Sequence, residues 1–124
     1  MTSRSTVRSS VSYHAGQAAE QQVAADYERR GYSIAHRRWR GAGGEIDLIV
    51  RNGDGLVFVE VKKSTSFEMA AARIKRRQMD RICASAAQFL EGEPNGQLTN
   101  VRFDAALVDA FGAVQIIENA FDQV

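Results

Sequence analysis

An α/β fold, with a mixed central sheet flanked by helices, is what this sequence predicts, and three observations carry that reading. The elements run helix, strand, hairpin, helix, strand, strand, an order that lays helices against a mixed sheet. Two apolar runs, 46–50 and 56–59, are nearly continuous, as strands covered on both faces are. Between them, Asn52-Gly53-Asp54-Gly55 is a strong hairpin turn signal. The length of 124 residues, with 44% hydrophobic and 25% charged residues, suits one domain with one real core.

Residues 1–12 hold seven Ser or Thr and two Arg, too little apolar surface to bury, and are expected to form a disordered tail ahead of a single domain over 13–124. A helix is expected from Ala15 to about Arg30. Gly16, Glu20, Val23, Ala24 and Tyr27 share one face, and Gly31 stands where a helix-ending glycine belongs. A strand over 32–39 follows, and Gly41, Gly43 and Gly44 read as a flexible connection. The hairpin comes next, with strands over 45–50 and 56–62. In the second of these Val57, Val59 and Val61 alternate with Leu56, Phe58, Glu60 and Lys62. A second helix is expected over 69–90, with Ile74, Gln78, Ile82, Ala86 and Phe89 as its inner stripe. Residues 91–100 contain the only proline and read as a loop. Strands over 101–108 and 113–117 complete the sheet.

Composition excludes several classes. No run approaches the 18 apolar residues of a membrane span. The single cysteine, Cys83, cannot make an internal disulfide, and the N-terminus lacks an apolar signal region, so a cytoplasmic location is expected. Cys83 neighbours the apolar stripe and is expected to pack. The net charge of +1 hides an asymmetry. Residues 1–40 carry +4 and 73–81 carry +4, while 41–72 carry −2 and 82–124 carry −5. Basic segments around an acidic middle suit a polyanion held beside a carboxylate site, although charge alone favours solvated helix faces and a loose tail.

Three charges interrupt the buried-looking strands: Asp47, Glu60 and Lys62. Charged groups are rarely buried without a partner. A turn centred between Gly53 and Asp54 sets Asp47 directly opposite Glu60, where like charges repel. A divalent cation, magnesium or manganese, is the simplest relief, because hard cations take oxygen ligands. The same register sets Lys62 opposite Glu45, and an ion pair there is the structural alternative. Glu20 and Gln78 each stand where their helix pattern wants an apolar residue. Arg37, Arg38 and Arg40 interleave with Trp39, as nucleic-acid surfaces do, or as an edge strand guarded by charge does.

With those residues in view, the chain resembles a known group. Gly44-Glu45-Ile46-Asp47-Leu48-Ile49 followed by Phe58-Val59-Glu60-Val61-Lys62 is similar to the PD-(D/E)xK nuclease core. Adding Glu20 with the residues before it, then Lys75, Arg102-Phe103-Asp104 and Asn119-Ala120-Phe121, the chain resembles the YraN-type family of small, uncharacterised bacterial proteins from about Tyr13 to Phe121. Ser64 stands where an arginine often follows that core, and Glu68 where a glycine is common. The resemblance implies a restriction-endonuclease-like fold, shared with archaeal-type Holliday junction resolvases. It implies a site of Glu20, Asp47, Glu60 and Lys62, the four residues already singled out.

The expectation is therefore a metal-dependent, nuclease-like protein acting on or binding DNA, branched or structured substrates included. Asp47 and Glu60 would hold magnesium or manganese, with Glu20 joining them directly or through water. The ion would activate water and stabilise developing charge. Lys62 would position the water or share that stabilisation. Arg73, Lys75, Arg77, Gln78 and Arg81 form the expected nucleic-acid contact, with Arg73, Arg77 and Arg81 as one solvent stripe. The alternative is a non-catalytic nucleic-acid-binding or adaptor module that keeps the nuclease fold. A homodimer would suit a branched substrate, although no dimer motif is visible.

Overall fold

In the computed structural model the described residues are 4–123, with side chains described for 17–121. The chain runs α1 (Arg4–Arg29), β1 (Ser33–Gly41), β2 (Gly44–Asn52), β3 (Gly55–Lys63), α2 (Phe67–Ala71), α3 (Arg76–Leu90), β4 (Val101–Val108) and β5 (Val114–Ile117). Short 3-10 turns occupy Gly96–Leu98 and Ala120–Gln123. The five strands form one sheet in the order β1-β2-β3-β4-β5. Only β3 and β4 are parallel, because a connection containing α2 and α3 separates them, whereas tight turns force the other pairs antiparallel. The predicted mixed sheet with flanking helices is what is found.

Each face of the sheet has its own apolar layer. On one, Val23, Ala24 and Tyr27 of α1 pack on Leu48, Val50, Val57, Val59, Ala106 and Val108. On the other, Ile82, Ala86 and Leu90 of α3 pack on Ile46, Ile49, Leu56 and Phe58. The strands covered on both sides are the ones with near-continuous apolar runs. Asp104 is fully buried on the α1 face. It accepts hydrogen bonds from the Tyr27 hydroxyl (2.8 Å) and twice from Arg102 (2.8 Å each). The Asn119 amide also donates to it, at 3.3 Å. A buried charge needs this many partners, and the Arg-Phe-Asp and Asn-Ala-Phe segments of the family resemblance are thereby one structural network.

Four expectations are corrected. The helical backbone begins at Arg4, well before Ala15; of the segment expected to be a disordered tail, residues 1–3 lie outside the described residues, and from Arg4 no proline or glycine interrupts the helix before Gly16. The glycine connection is a tight turn rather than a flexible one. Ser85 donates to the Gly44 carbonyl at 2.8 Å, and the Ala42 amide donates to the Gln88 side chain at 2.7 Å. A Cβ on Gly43 would lie 2.3 Å from the Arg81 carbonyl oxygen, so the glycine is demanded by the close approach of α3.

The expected second helix is two helices. Ser66 caps α2, accepting from the Met69 amide at 3.1 Å, and Glu68 in the first turn suits the helix dipole. The chain then leaves helical geometry, with Lys75 extended at φ −116° and ψ 141°. The Arg73 guanidinium fastens this link by donating to the Lys63 carbonyl at 2.7 Å. Restarting at Arg76 rephases the buried stripe to Met79, Ile82, Ser85, Ala86 and Leu90. Cys83 is consequently exposed rather than packed.

Candidate active site

The hairpin register is the one expected from its turn: Asn52 pairs with Gly55, and the rungs continue to Leu48 opposite Val59. There the ladder ends, one position short of Asp47 and Glu60. The Asp47 side chain takes over the rung, with Oδ2 accepting from the Val61 amide at 2.8 Å. β3 stays straight because its other edge remains paired with β4 as far as Lys63 opposite Val108. Glu60 and Lys62 therefore project from a strand fixed on one side, at the point where β2 parts from it. On the other side of β2, the pairing with β1 has no partners at Arg38 and Asp47, between Arg37 opposite Leu48 and Trp39 opposite Ile46.

The charges are gathered into a small space. Glu60 is buried, with 5% exposure. Its Oε1 accepts from Gln78 Nε2 at 2.9 Å and lies 3.1 Å from Lys62 Nζ. Gln78 comes from the first turn of α3. Asp47 and Glu60 hydrogen-bond to each other. Burial, and then the Glu60 charge, push the Asp47 carboxyl from 3.8 up to about 7. Burial also raises Glu60, against the opposing Lys62 charge. Burial and mutual repulsion together favour one proton held between the two carboxyls. Glu20 projects from α1 and accepts from Arg38 Nε at 2.7 Å. Burial raises its pKa, Arg38 opposes, and the Asp47 charge raises it further.

Two carboxyl groups that share one proton in a buried setting are a donor set that fits a hard divalent cation, which would replace the proton and relieve the repulsion. Asp47 and Glu60 are the residues able to hold it. Among the described residues no three His, Cys, Asp or Glu side chains stand together as a metal-binding group, and Glu20 is engaged with Arg38 instead.

Four expected residues, Asp47, Glu60, Lys62 and Gln78, meet through these contacts, and Glu20 stands near enough for its charge to be felt while paired with Arg38. The alternative Lys62–Glu45 pair does not form, because the register lapses before it; Lys62 turns to Glu60, and Glu45 lies 3.7 Å from Arg40. Of the expected nucleic-acid residues, Arg73 and Lys75 fall in the link before α3, so the three-arginine stripe loses its first member. Lys75 Nζ donates to the Ala72 carbonyl at 3.0 Å. Arg77 and Arg81 remain exposed one turn apart on α3. Trp39 is spent on packing, edge-on to Phe89 at 5.2 Å between ring centroids. Sequence reasoning placed Arg38 on a basic surface. It pairs with Glu20 instead, and no spacing signal could show this, because its left-handed backbone (φ 49°) breaks the strand alternation.

The family model "Uncharacterised protein family UPF0102" matches residues 19–108, which span every one of these site residues. The chain belongs to family UPF0102. This is the YraN-type group that its motifs resemble. A UPF0102 protein of Cereibacter sphaeroides (strain KD131) is 66% identical, over 90% of this chain and 95% of its own. One from Ruegeria pomeroyi is 61% identical over 86% and 87%, and one from Dinoroseobacter shibae 44% over 84% and 78%. UPF0102 is an uncharacterised family. No helix among the described residues is long and apolar enough to cross a membrane.

Proposed function

We propose that this UPF0102 protein is a metal-dependent nuclease, hydrolysing phosphodiester bonds in DNA. The observation that carries this reading is half-buried Asp47 set against buried Glu60, with Lys62 and Gln78 on the same Glu60 oxygen, at the point where β2 and β3 part. A structural ion pair would need one acid and one base. Glu60 has such a base in Lys62, yet a second acid, Asp47, is held against it as well, an arrangement that a fold retains where the pair has work to do.

Magnesium or manganese held by Asp47 and Glu60 would supply Lewis-acid activation of water and stabilise negative charge on the phosphate. The chain's own residues do the rest. Val61 fixes Asp47 through its backbone amide, and Gln78 fixes Glu60, so both carboxyls are oriented by partners on rigid elements. Lys62, with 13% side-chain exposure, keeps its ammonium beside Glu60. There it stabilises negative charge developing on a phosphate or orients the attacking water. Arg77 and Arg81 supply positive charge on exposed α3, suited to the DNA backbone.

The test is a cleavage panel of branched, nicked and single-stranded DNA with magnesium and with manganese. Cleavage by the wild type, abolished in Asp47→Asn and in Lys62→Ala, is the expected result. Lys62→Ala should still bind magnesium, because an ammonium is not a metal ligand. Salt-sensitive DNA binding without cleavage of any substrate would select the non-catalytic module instead, a reading favoured by Glu20 and Lys62 both already being paired.

A further inference from the structure

Glu20 and Arg38 come from elements far apart in sequence and meet in a short ion pair, 2.7 Å between Nε and Oε2. The side chains are 20% and 33% exposed, so the pair sits at the rim of the site rather than beneath it. Glu20 is near enough to Asp47 and Glu60 for their charges to be felt: Asp47 raises the Glu20 pKa, and Glu20 raises that of Glu60. Yet the three carboxylates do not form a metal-ligand group. What holds Glu20 is the guanidinium.

Arg38 is also the wrong residue for its backbone. At φ 49° it lies in the left-handed region that favours glycine or asparagine, at the position where the β1–β2 pairing lapses opposite Asp47. Such a conformation costs stability and persists only where surrounding contacts fix it. The ion pair to Glu20 is a contact of that kind.

We propose that Arg38 is a latch on Glu20: its guanidinium holds Glu20 back from joining Asp47 and Glu60, so that divalent-cation binding requires Glu20 to exchange away from Arg38. This rests on the metal-dependent reading of the site, and it makes Arg38 a positioning residue that acts through Glu20. Its removal tightens cation binding, and only while Glu20 can still ionise.

The test is magnesium titration by calorimetry of four full-length proteins: wild type, Arg38→Gly, Glu20→Gln and the double variant. Arg38→Gly suits the left-handed backbone, and a magnesium-free thermal melt verifies that it folds; Arg38→Asn, tolerated there too, repeats the measurement. The expected result is about three- to tenfold tighter magnesium binding by Arg38→Gly than by wild type, the scale of a partly exposed ion pair. In the Glu20→Gln background the same substitution should change affinity by less than about twofold. An equal gain in both backgrounds overturns the latch, because it would reflect general repulsion between arginine and cation. Wild-type binding with no gain in Arg38→Gly overturns it while leaving the metal site standing. No binding by any of the four overturns the metal site and the latch together.

Discussion

Replacing Asp47 by asparagine should make the metal-free protein more stable, and the gain should depend on pH. The Asp47 carboxyl is raised from 3.8 to about 7, chiefly by burial and then by the Glu60 charge. A carboxyl whose folded pKa lies above its unfolded one stabilises the fold while it is protonated. That contribution is fully present below the unfolded value and is lost as pH rises through the folded one. Ionising Asp47 in place therefore costs about 4 kcal/mol, at roughly 1.4 kcal/mol per pH unit between the two values. Because the proton is shared with Glu60, about 2–4 kcal/mol is the realistic range. Asparagine imitates the protonated acid: its carbonyl accepts from the Val61 amide, and its amide donates to Glu60. Urea unfolding of both proteins without divalent cations should agree near pH 4. The curves should separate as pH rises toward 7, and run parallel above it. At pH 8 the Asp47→Asn melting temperature should be higher by about 6–20 °C, at roughly 3–5 °C per kcal/mol for this chain length. A variant less stable than wild type at pH 8, or a difference independent of pH, would refute the reasoning and make Asp47 a structural hydrogen-bonding carboxylate.

Four further outcomes are expected. Tyr27→Phe removes a hydroxyl that donates to buried Asp104 at 2.8 Å and should cost about 1.5–3 kcal/mol by denaturant titration, with magnesium affinity unchanged. Gly43→Ala forces a Cβ toward the Arg81 carbonyl and should lower stability by about 1–3 kcal/mol; a neutral result would mean that α3 shifts freely over the β1–β2 turn. Arg77→Ala with Arg81→Ala should weaken DNA binding and lower its salt slope by about two units at most, whereas Arg73→Ala should lower stability by about 1 kcal/mol through the lost Lys63 contact and leave the salt slope alone.

The amino-acid order by itself determined the sheet and most of the site, because both rest on local periodicity. The Asn-Gly-Asp-Gly turn set the register that brings Asp47 and Glu60 toward each other, and strand alternation put Glu60 on the α3 side with Phe58. Glu20 and Gln78 were legible as polar residues in apolar helix positions. Tertiary structure alone decided what those residues do with one another. The break between α2 and α3, fastened by the Arg73 contact with the Lys63 carbonyl, is encoded by no helical repeat, and it removed Arg73 from the arginine stripe. The strands part at Asp47 because its side chain, rather than the backbone of β2, satisfies the Val61 amide. Arg38 reaches Glu20 only because one left-handed residue reverses the direction in which β1 presents its side chains. Each of these is a contact between residues at least ten positions apart, and local pattern carries no information about which distant partner a side chain will find.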